Sequence, residues 1–192
     1  MRLHDRSGAR KYLTPAERDR FLAAAMNADA RTRSFCAVLA YTGCRLSEAL
    51  NLTAARIDPE DGVVIIESLK KRRPGLFRAV PVPPAVLSLL EDVHGIAALR
   101  AKADGGRSAR LWPWSRATGW RRVRSVMRAA GLSGLHATPK GLRHGFGIKA
   151  VTSNVPLNMT QKWLGHAQLS TTSIYADAVG PEERLMAARM WN

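Results

Sequence analysis

Acidic side chains are scarce in this chain: 15 Asp and Glu stand against 30 Lys and Arg, a formal net charge of +15 at pH 7 over 192 residues. Most of the excess is arginine, whose planar fork suits phosphate oxygens better than the point charge of lysine. A folded domain with this balance fits a polyanion, most simply nucleic acid, whose phosphates would supply most of the affinity and make it steeply salt-dependent. Codon bias in a high-GC genome would change which cation is used, but it does not account for the shortage of anions. Cysteine is nearly missing too. Cys36 and Cys44 lie eight apart in an apolar segment, without Cys or His partners at metal spacing, and read as reduced core residues. Long hydrophobic runs are absent: none approaches the ~18 residues a membrane span needs, and the opening MRLHDRSGARKYL has no apolar stretch of the secretory kind. These absences predict a soluble, cytoplasmic protein. There is no internal repeat and no low-complexity tract.

What is present fits one domain, with a hydrophobic fraction of 46% that can bury a core. Residues 1 to 11 read as a loose basic arm. At YLTPAERDRFLAAAM, Thr14, a proline and Glu17 form a capping box ahead of a helix running to about Met26. RTRSFCAVLAYT reads as a second, largely buried helix, broken by Gly43 before the short RLSEALNLT, which puts Arg45 on the turn. From Ile57 the pattern turns β-branched: VVIIE and LFRAVPVP, joined by the cationic SLKKRRPG, predict an antiparallel hairpin. Pro84 opens a helix to about Val93, and AKADGGRSAR reads as a mobile loop. Residues 115 to 130 place Arg121, Arg122, Arg124 and Arg128 around Trp120, Val123, Val126 and Met127, a helix with one buried and one arginine-rich face. The last third reads as four helices: TPKGLRHGFGIKAVTS, PLNMTQKWLG, LSTTSIYADAV and PEERLMAARMW. The fold class is therefore mainly α with a small antiparallel β-sheet.

TPKGLRHGFG sets Lys140, Arg143 and His144 within five positions. Such a cluster is either a solvated helix face or part of a pocket for an anion with several oxygens. Arg45, Lys70 or Lys71, His166 and Tyr175 raise the same choice, and each taken singly has an ordinary structural explanation. Together they form a pattern. TGCRLSEAL, a cationic hairpin, PKGLRHGFG and WLGHAQLSTTSIYADA, with 166 − 143 = 23 residues between Arg143 and His166 and a tyrosine nine after the histidine, strongly resemble the catalytic domain of the tyrosine recombinases, or phage integrase family. The resemblance runs from about Tyr12 to the C-terminus and makes 12 to 192 the catalytic domain.

The resemblance implies a site-specific recombinase that cuts and rejoins DNA strands through a 3′-phosphotyrosine, without metal or cofactor. Tyr175 would be the nucleophile, a role that keeps the energy of the broken bond and needs no ATP. Arg45 and Arg143 would stabilise negative charge on the non-bridging oxygens, where another phosphoryl-transfer enzyme uses magnesium. His166 would donate to such an oxygen, and Lys70, with Lys71 close behind, would protonate the leaving 5′-oxygen. Glu48, one turn after Arg45, would orient it. Lys71, Arg72, Arg73, Arg121, Arg122 and Arg124 would bind the double-stranded DNA, mostly at phosphates. The family's pattern also implies a homo-oligomer on DNA, a tetramer.

One position departs from that pattern. The residue three before Arg143 is usually histidine, the favoured acceptor of the tyrosine proton, and here it is Lys140. A charged lysine has three donors and no acceptor, so Lys140 would act mainly on the phosphate while His144 buttresses the helix. The family's N-terminal core-binding domain is expected to be missing, which makes the sequence a fragment or a naturally short recombinase. Three competing readings are a DNA-binding relative that Lys140 has disabled, a type IB topoisomerase sharing the tyrosine chemistry, and a basic structural protein.

Overall fold

The first helix is started by its own sequence. In the computed structural model, which describes residues 3–69, 75–102, 106–176 and Arg184, Ala187, Ala188 and Met190, Thr14 caps α1 (Pro15–Met26) through a complete capping box with Glu17. Asp29 caps α2 (Ala30–Thr42), a largely buried helix, by accepting from the Thr32 N–H at 3.0 Å. Gly43 ends α2 at φ +60°, and Arg45 sits in extended backbone at the start of α3 (Leu46–Leu50). Strands β1 (Ile57–Asp58), β2 (Val63–Glu67) and β3 (Phe77–Pro81) form one antiparallel sheet in that order, with Val64 paired to Val80 and Ile66 to Arg78. Helices α4 (Pro84–His94) and α5 (Ile96–Ala101) follow, then α6 (Arg116–Ala129), α7 (Pro139–Thr152), α8 (Leu157–Leu164) and the short α9 (Ser170–Ser173). The expected fold class, mainly helical with a small antiparallel sheet, is what the described residues adopt.

Two apolar clusters organise these elements. The larger joins α1, α2, α3, α4 and α6 to the inner face of the sheet, with Trp112 fully buried against Phe35 at 5.1 Å. The Trp112 indole N–H is satisfied by the Arg31 carbonyl at 2.9 Å, as burial demands. Cys36 and Cys44 lie in it as free buried thiols, pushed up by desolvation to about 12 and about 11. The smaller cluster packs Leu3, Tyr12, Ile148, Leu164 and Tyr175 together.

Four local expectations are corrected. Residues 3 to 12 are not a loose arm: Asp5 accepts from the Ser7 and Ala9 N–H groups, His4 pairs with Arg10, and both ends of the turn are buried through Leu3 and Tyr12. The AKADGGRSAR segment is partly regular, because α5 reaches Ala101 and Gly106–Ser108 make a 3₁₀ turn. Trp120, expected on the buried face of α6, is 44% exposed, and Gly119 takes the place against Leu50 and Phe35. Among its described residues, 169–176, LSTTSIYADAV forms one helical turn, since serine and threonine divert hydrogen bonds to local carbonyls, as Ser173 does to Ser170. Of the apolar stripe expected on the last helix, PEERLMAARMW, Met190 is exposed, and Leu185, Met186 and Trp191 lie outside the described residues.

Close packing at the first turn of α7 explains a glycine inside TPKGLRH. A Cβ on Gly141 would stand 1.8 Å from the His136 carbonyl oxygen, and the Gly141 carbonyl accepts the Leu13 N–H at 3.1 Å. Gly141→Ala therefore forces the backbone apart, and a urea titration is expected to show a loss of about 2 kcal/mol or more despite alanine's better helix propensity.

Candidate active site

Four of the residues singled out from the sequence line one cleft of about 970 Å³: Arg45, Lys140, Arg143 and His166, together with Glu48. Each arrives on a different element. Arg45 comes from the turn before α3, Lys140 and Arg143 from α7, and His166 from the turn after α8.

Arg45 is held by Glu48, which accepts from its backbone N–H at 2.9 Å and from Nη1 at 2.7 Å. The Glu48 carboxylate is fully buried and its second oxygen accepts from Arg78 Nη2 at 2.6 Å. Burial pushes its pKa up, but the charge and hydrogen bond of Arg78 and the contacts to Arg45 outweigh this and hold it below the usual carboxylate range. Arg143 is 5% exposed and donates to the carbonyls of Gly43 and Leu164, each at 2.7 Å. Desolvation, followed by the nearby Arg45 charge, lowers it to about 10, which leaves it cationic at neutral pH.

His166 is buried, with Nδ1 2.9 Å from the Thr172 hydroxyl, and burial followed by the Arg143 charge lowers its pKa to about 3. Lys140 is exposed at the second position of α7. His144 is fully buried and lies behind the cleft, its Nδ1 3.2 Å from the Tyr175 hydroxyl. Burial first, then Lys140 and Arg143, lower it to about 4. It is thus a neutral partner of the tyrosine, more than a helix buttress.

Tyr175 itself is not in the cleft. It has no exposed surface, its ring stacks on His166 at 6.2 Å, and a Cβ at Gly147 would stand 2.5 Å from its Cζ. Burial raises the phenol to about 12, partly offset by Arg143 and Arg45. Lys70, Lys71, Arg72 and Arg73 lie outside the described residues. On α6, Arg121 is exposed, Arg122 pairs with Asp29 at 2.9 Å, and Arg124 donates to the Ala137 carbonyl.

Sequence reasoning missed Arg78, Thr172 and the apolar rim formed by Leu69, Trp120 and Leu135. Arg78 had a signal. Strand β3 alternates exposed and buried positions, and Arg78 shares the inward side with Val80, where an apolar residue is the rule.

Comparison with known proteins bears directly on this arrangement. The family model described as "Phage integrase family" matches residues 11–180. The chain is 30% identical over 172 residues to tyrosine recombinase XerA of Pyrococcus furiosus, covering 86% of this chain and 56% of that protein. It is 33% identical over 148 residues to tyrosine recombinase XerC of Mesorhizobium japonicum, covering 76% and 46%. The chain spans about half the length of the curated relatives it matches. The crystal structure of XerA recombinase superposes with a TM-score of 0.77 at 26% identity, over 93% of this chain and 64% of that one. XerH site-specific recombinase bound to its difH substrate, in a pre-cleavage complex, shares the fold at TM-score 0.73 and 22% identity, over 98% and 60%.

Three buried groups make stability depend on pH with a definite sign. His144 and His166, at about 4 and about 3 in the fold, titrate near 6.5 once unfolded, so the unfolded chain binds more protons between those values. Urea midpoints are expected to fall as pH drops below about 6.5, with the imidazole NMR signals of both residues still neutral at pH 5. Tyr175 acts at the other end. Its raised pKa means stability is lost as pH rises from about 10 towards about 12, and Tyr175→Phe should flatten that alkaline limb.

Proposed function

The chain belongs to the phage integrase family, and from that premise we propose that it cuts and rejoins double-stranded DNA at specific sites through a 3′-phosphotyrosine on Tyr175. The observation that carries this reading is the convergence of Arg45, Arg143 and His166 on one cleft with the Tyr175 ring stacked directly behind His166. Two guanidiniums and an imidazole suit a phosphate whose transition state spreads charge over its non-bridging oxygens.

In the proposed reaction the Tyr175 oxygen attacks the scissile phosphorus, the 5′-oxygen leaves, and the phosphoryl group remains on the tyrosine. The 5′-hydroxyl of another strand reverses the step, so the bond energy is conserved. Arg45 and Arg143 take the developing charge. When the Thr172 hydroxyl donates to Nδ1 of His166, the ring proton sits on Nε2, the tautomer that can donate to a phosphate oxygen. Lys70, or Lys71, protonates the leaving oxygen. Lys140 stands at the cleft as a cation for the phosphate.

The phenol proton goes to water. Because Tyr175 has no exposed surface, its segment must leave the seat against Ile148, Leu164 and His144 before it can attack. Exchange between two duplexes requires four strand cuts, and each chain carries one nucleophile, so the reading includes a homo-oligomer on DNA, a tetramer. It also includes action in the cytoplasm. No helix among the described residues is long and apolar enough to cross a membrane.

A second reading, DNA binding without cleavage, draws on Lys140 standing where a proton acceptor is expected. A trap assay separates the two. Duplexes nicked so that the 5′-hydroxyl fragment is lost after cleavage are incubated with the wild type and with Tyr175→Phe, and covalent adducts are resolved in SDS. An adduct formed by the wild type, absent with Tyr175→Phe and indifferent to EDTA, is the expected result. Binding without an adduct would favour the second reading, and Lys140→His should then raise adduct formation by about 100-fold.

A further inference from the structure

The strand residue Arg78 is 6% exposed and sends its guanidinium to three separate segments. Nη2 donates to Glu48 on α3 at 2.6 Å, Nη1 to the Ser68 hydroxyl just past β2 at 2.9 Å, and Nε to the Trp163 carbonyl on α8 at 2.7 Å. Each segment leads to one wall of the cleft. Glu48 holds Arg45. Ser68 precedes Leu69, which lines the cleft. Trp163 precedes Leu164, whose carbonyl holds Arg143, and Gly165, which leads into His166. The guanidinium also lies flat on the Gly165 backbone, where a Cβ would stand 2.8 Å from Nη1.

Charge makes this placement consequential. Glu48 is a buried carboxylate that faces Arg45 through one oxygen and Arg78 through the other. With two cations on one anion, the trio carries a net charge of 1 − 1 + 1 = +1, and Arg45 has positive charge left over for a bound anion. Without Arg78 the remaining pair sums to zero, and Glu48 cancels the charge that Arg45 would offer. Glu48 alone therefore orients Arg45 at the cost of neutralising it. A second cation behind the carboxylate removes that conflict, and being buried it is screened little by salt.

Resting on the reading of the cleft as a phosphate pocket, we propose that Arg78 is a positioning residue: it balances Glu48 so that Arg45 keeps its charge for the phosphate, and its fork locks α8, and with it His166, against the same site. It does not touch the phosphate.

The test uses inorganic phosphate as probe and the Nε–H NMR signal of Arg45 as readout, with adduct formation on nicked duplex measured in parallel. In the wild type the Arg45 signal should shift on phosphate addition. Arg78→Gln, which keeps a donor but loses the charge, should bind phosphate at least about tenfold more weakly. Two variants that restore the balance, Arg78→Lys and the Arg78→Gln/Glu48→Gln pair, should stay within about threefold of wild type in phosphate affinity. A merely structural role would lower melting temperatures without this pattern of loss and rescue.

If Arg78→Gln does not fold, Glu48→Gln alone decides, because with Arg78 retained it raises the surplus and should tighten phosphate about threefold. The inference is overturned by an Arg45 signal that ignores phosphate in the wild type, by wild-type affinity in Arg78→Gln, by failure of the charge-balanced pair to recover, or by no tightening in Glu48→Gln. A wild type that binds phosphate with this pattern yet forms no adduct sinks strand cleavage and leaves Arg78 in its role. An adduct that forms at an unchanged rate in Arg78→Gln sinks the role of Arg78 alone.

Discussion

The carboxylate of Glu48 is the constraint on which the cleft depends. An ionised group with no exposed surface is tolerated only when it is paired and hydrogen-bonded, and Glu48 meets that condition with Arg45 on one side and Arg78 on the other. The first pairing fixes the start of α3, and the second pins α3 to β3. Arg78 then ties β3 to α8 through the Trp163 carbonyl, and Arg143 ties α7 to both α2 and α8 through the carbonyls of Gly43 and Leu164. The cationic pocket is thus assembled by one carboxylate and a few backbone oxygens.

Burial favours the neutral form of Arg143, His144, His166 and Tyr175 alike, and their ordinary pKa values decide the outcome. The buried Arg143 falls only to about 10 and keeps its charge at neutral pH. Desolvation keeps His166, in the cleft wall, and His144 and Tyr175, behind it, neutral. The tyrosine is seated against Leu3, Tyr12, Ile148 and Leu164, and against a histidine that hydrogen-bonds its hydroxyl. In the proposed reaction, leaving this seat is a separate step from the chemistry, with its own free-energy cost in lost apolar contact. The N-terminal turn contributes to that cost because Leu3 and Tyr12 form part of the seat.

Much of the fold could be read along the chain because its signals are short-range. The capping box at Thr14 and Glu17, the left-handed break at Gly43, the β-branched VVIIE and the arginine face of α6 each depend on neighbours within a few positions, and each lies where the pattern places it. Two of the misreadings share one cause, packing between segments distant in sequence. The turn at 3 to 12 is closed by Asp5 locally, but it is held because Leu3 and Tyr12 find a cavity lined by α7 and α8. The exposure of Trp120 follows from Gly119, not the indole, fitting against Leu50 and Phe35.

The sequence by itself determined the excess of positive charge, the helical and strand segments, and the set of side chains with chemistry to offer: Arg45, Glu48, Lys140, Arg143, His166 and Tyr175. Apart from the local Arg45–Glu48 pair, tertiary structure decided whom each one meets. Arg78 reaches Glu48 across 30 positions and Trp163 across 85, and Arg143 reaches Gly43 across 100. Pairings at such separations leave no periodic trace, because they are selected by the geometry of packed helices and by the need to satisfy every buried charge. Through that geometry alone an arginine in a strand becomes the counterweight of a carboxylate, and a tyrosine two residues past a single helical turn is buried behind the cleft and not within it.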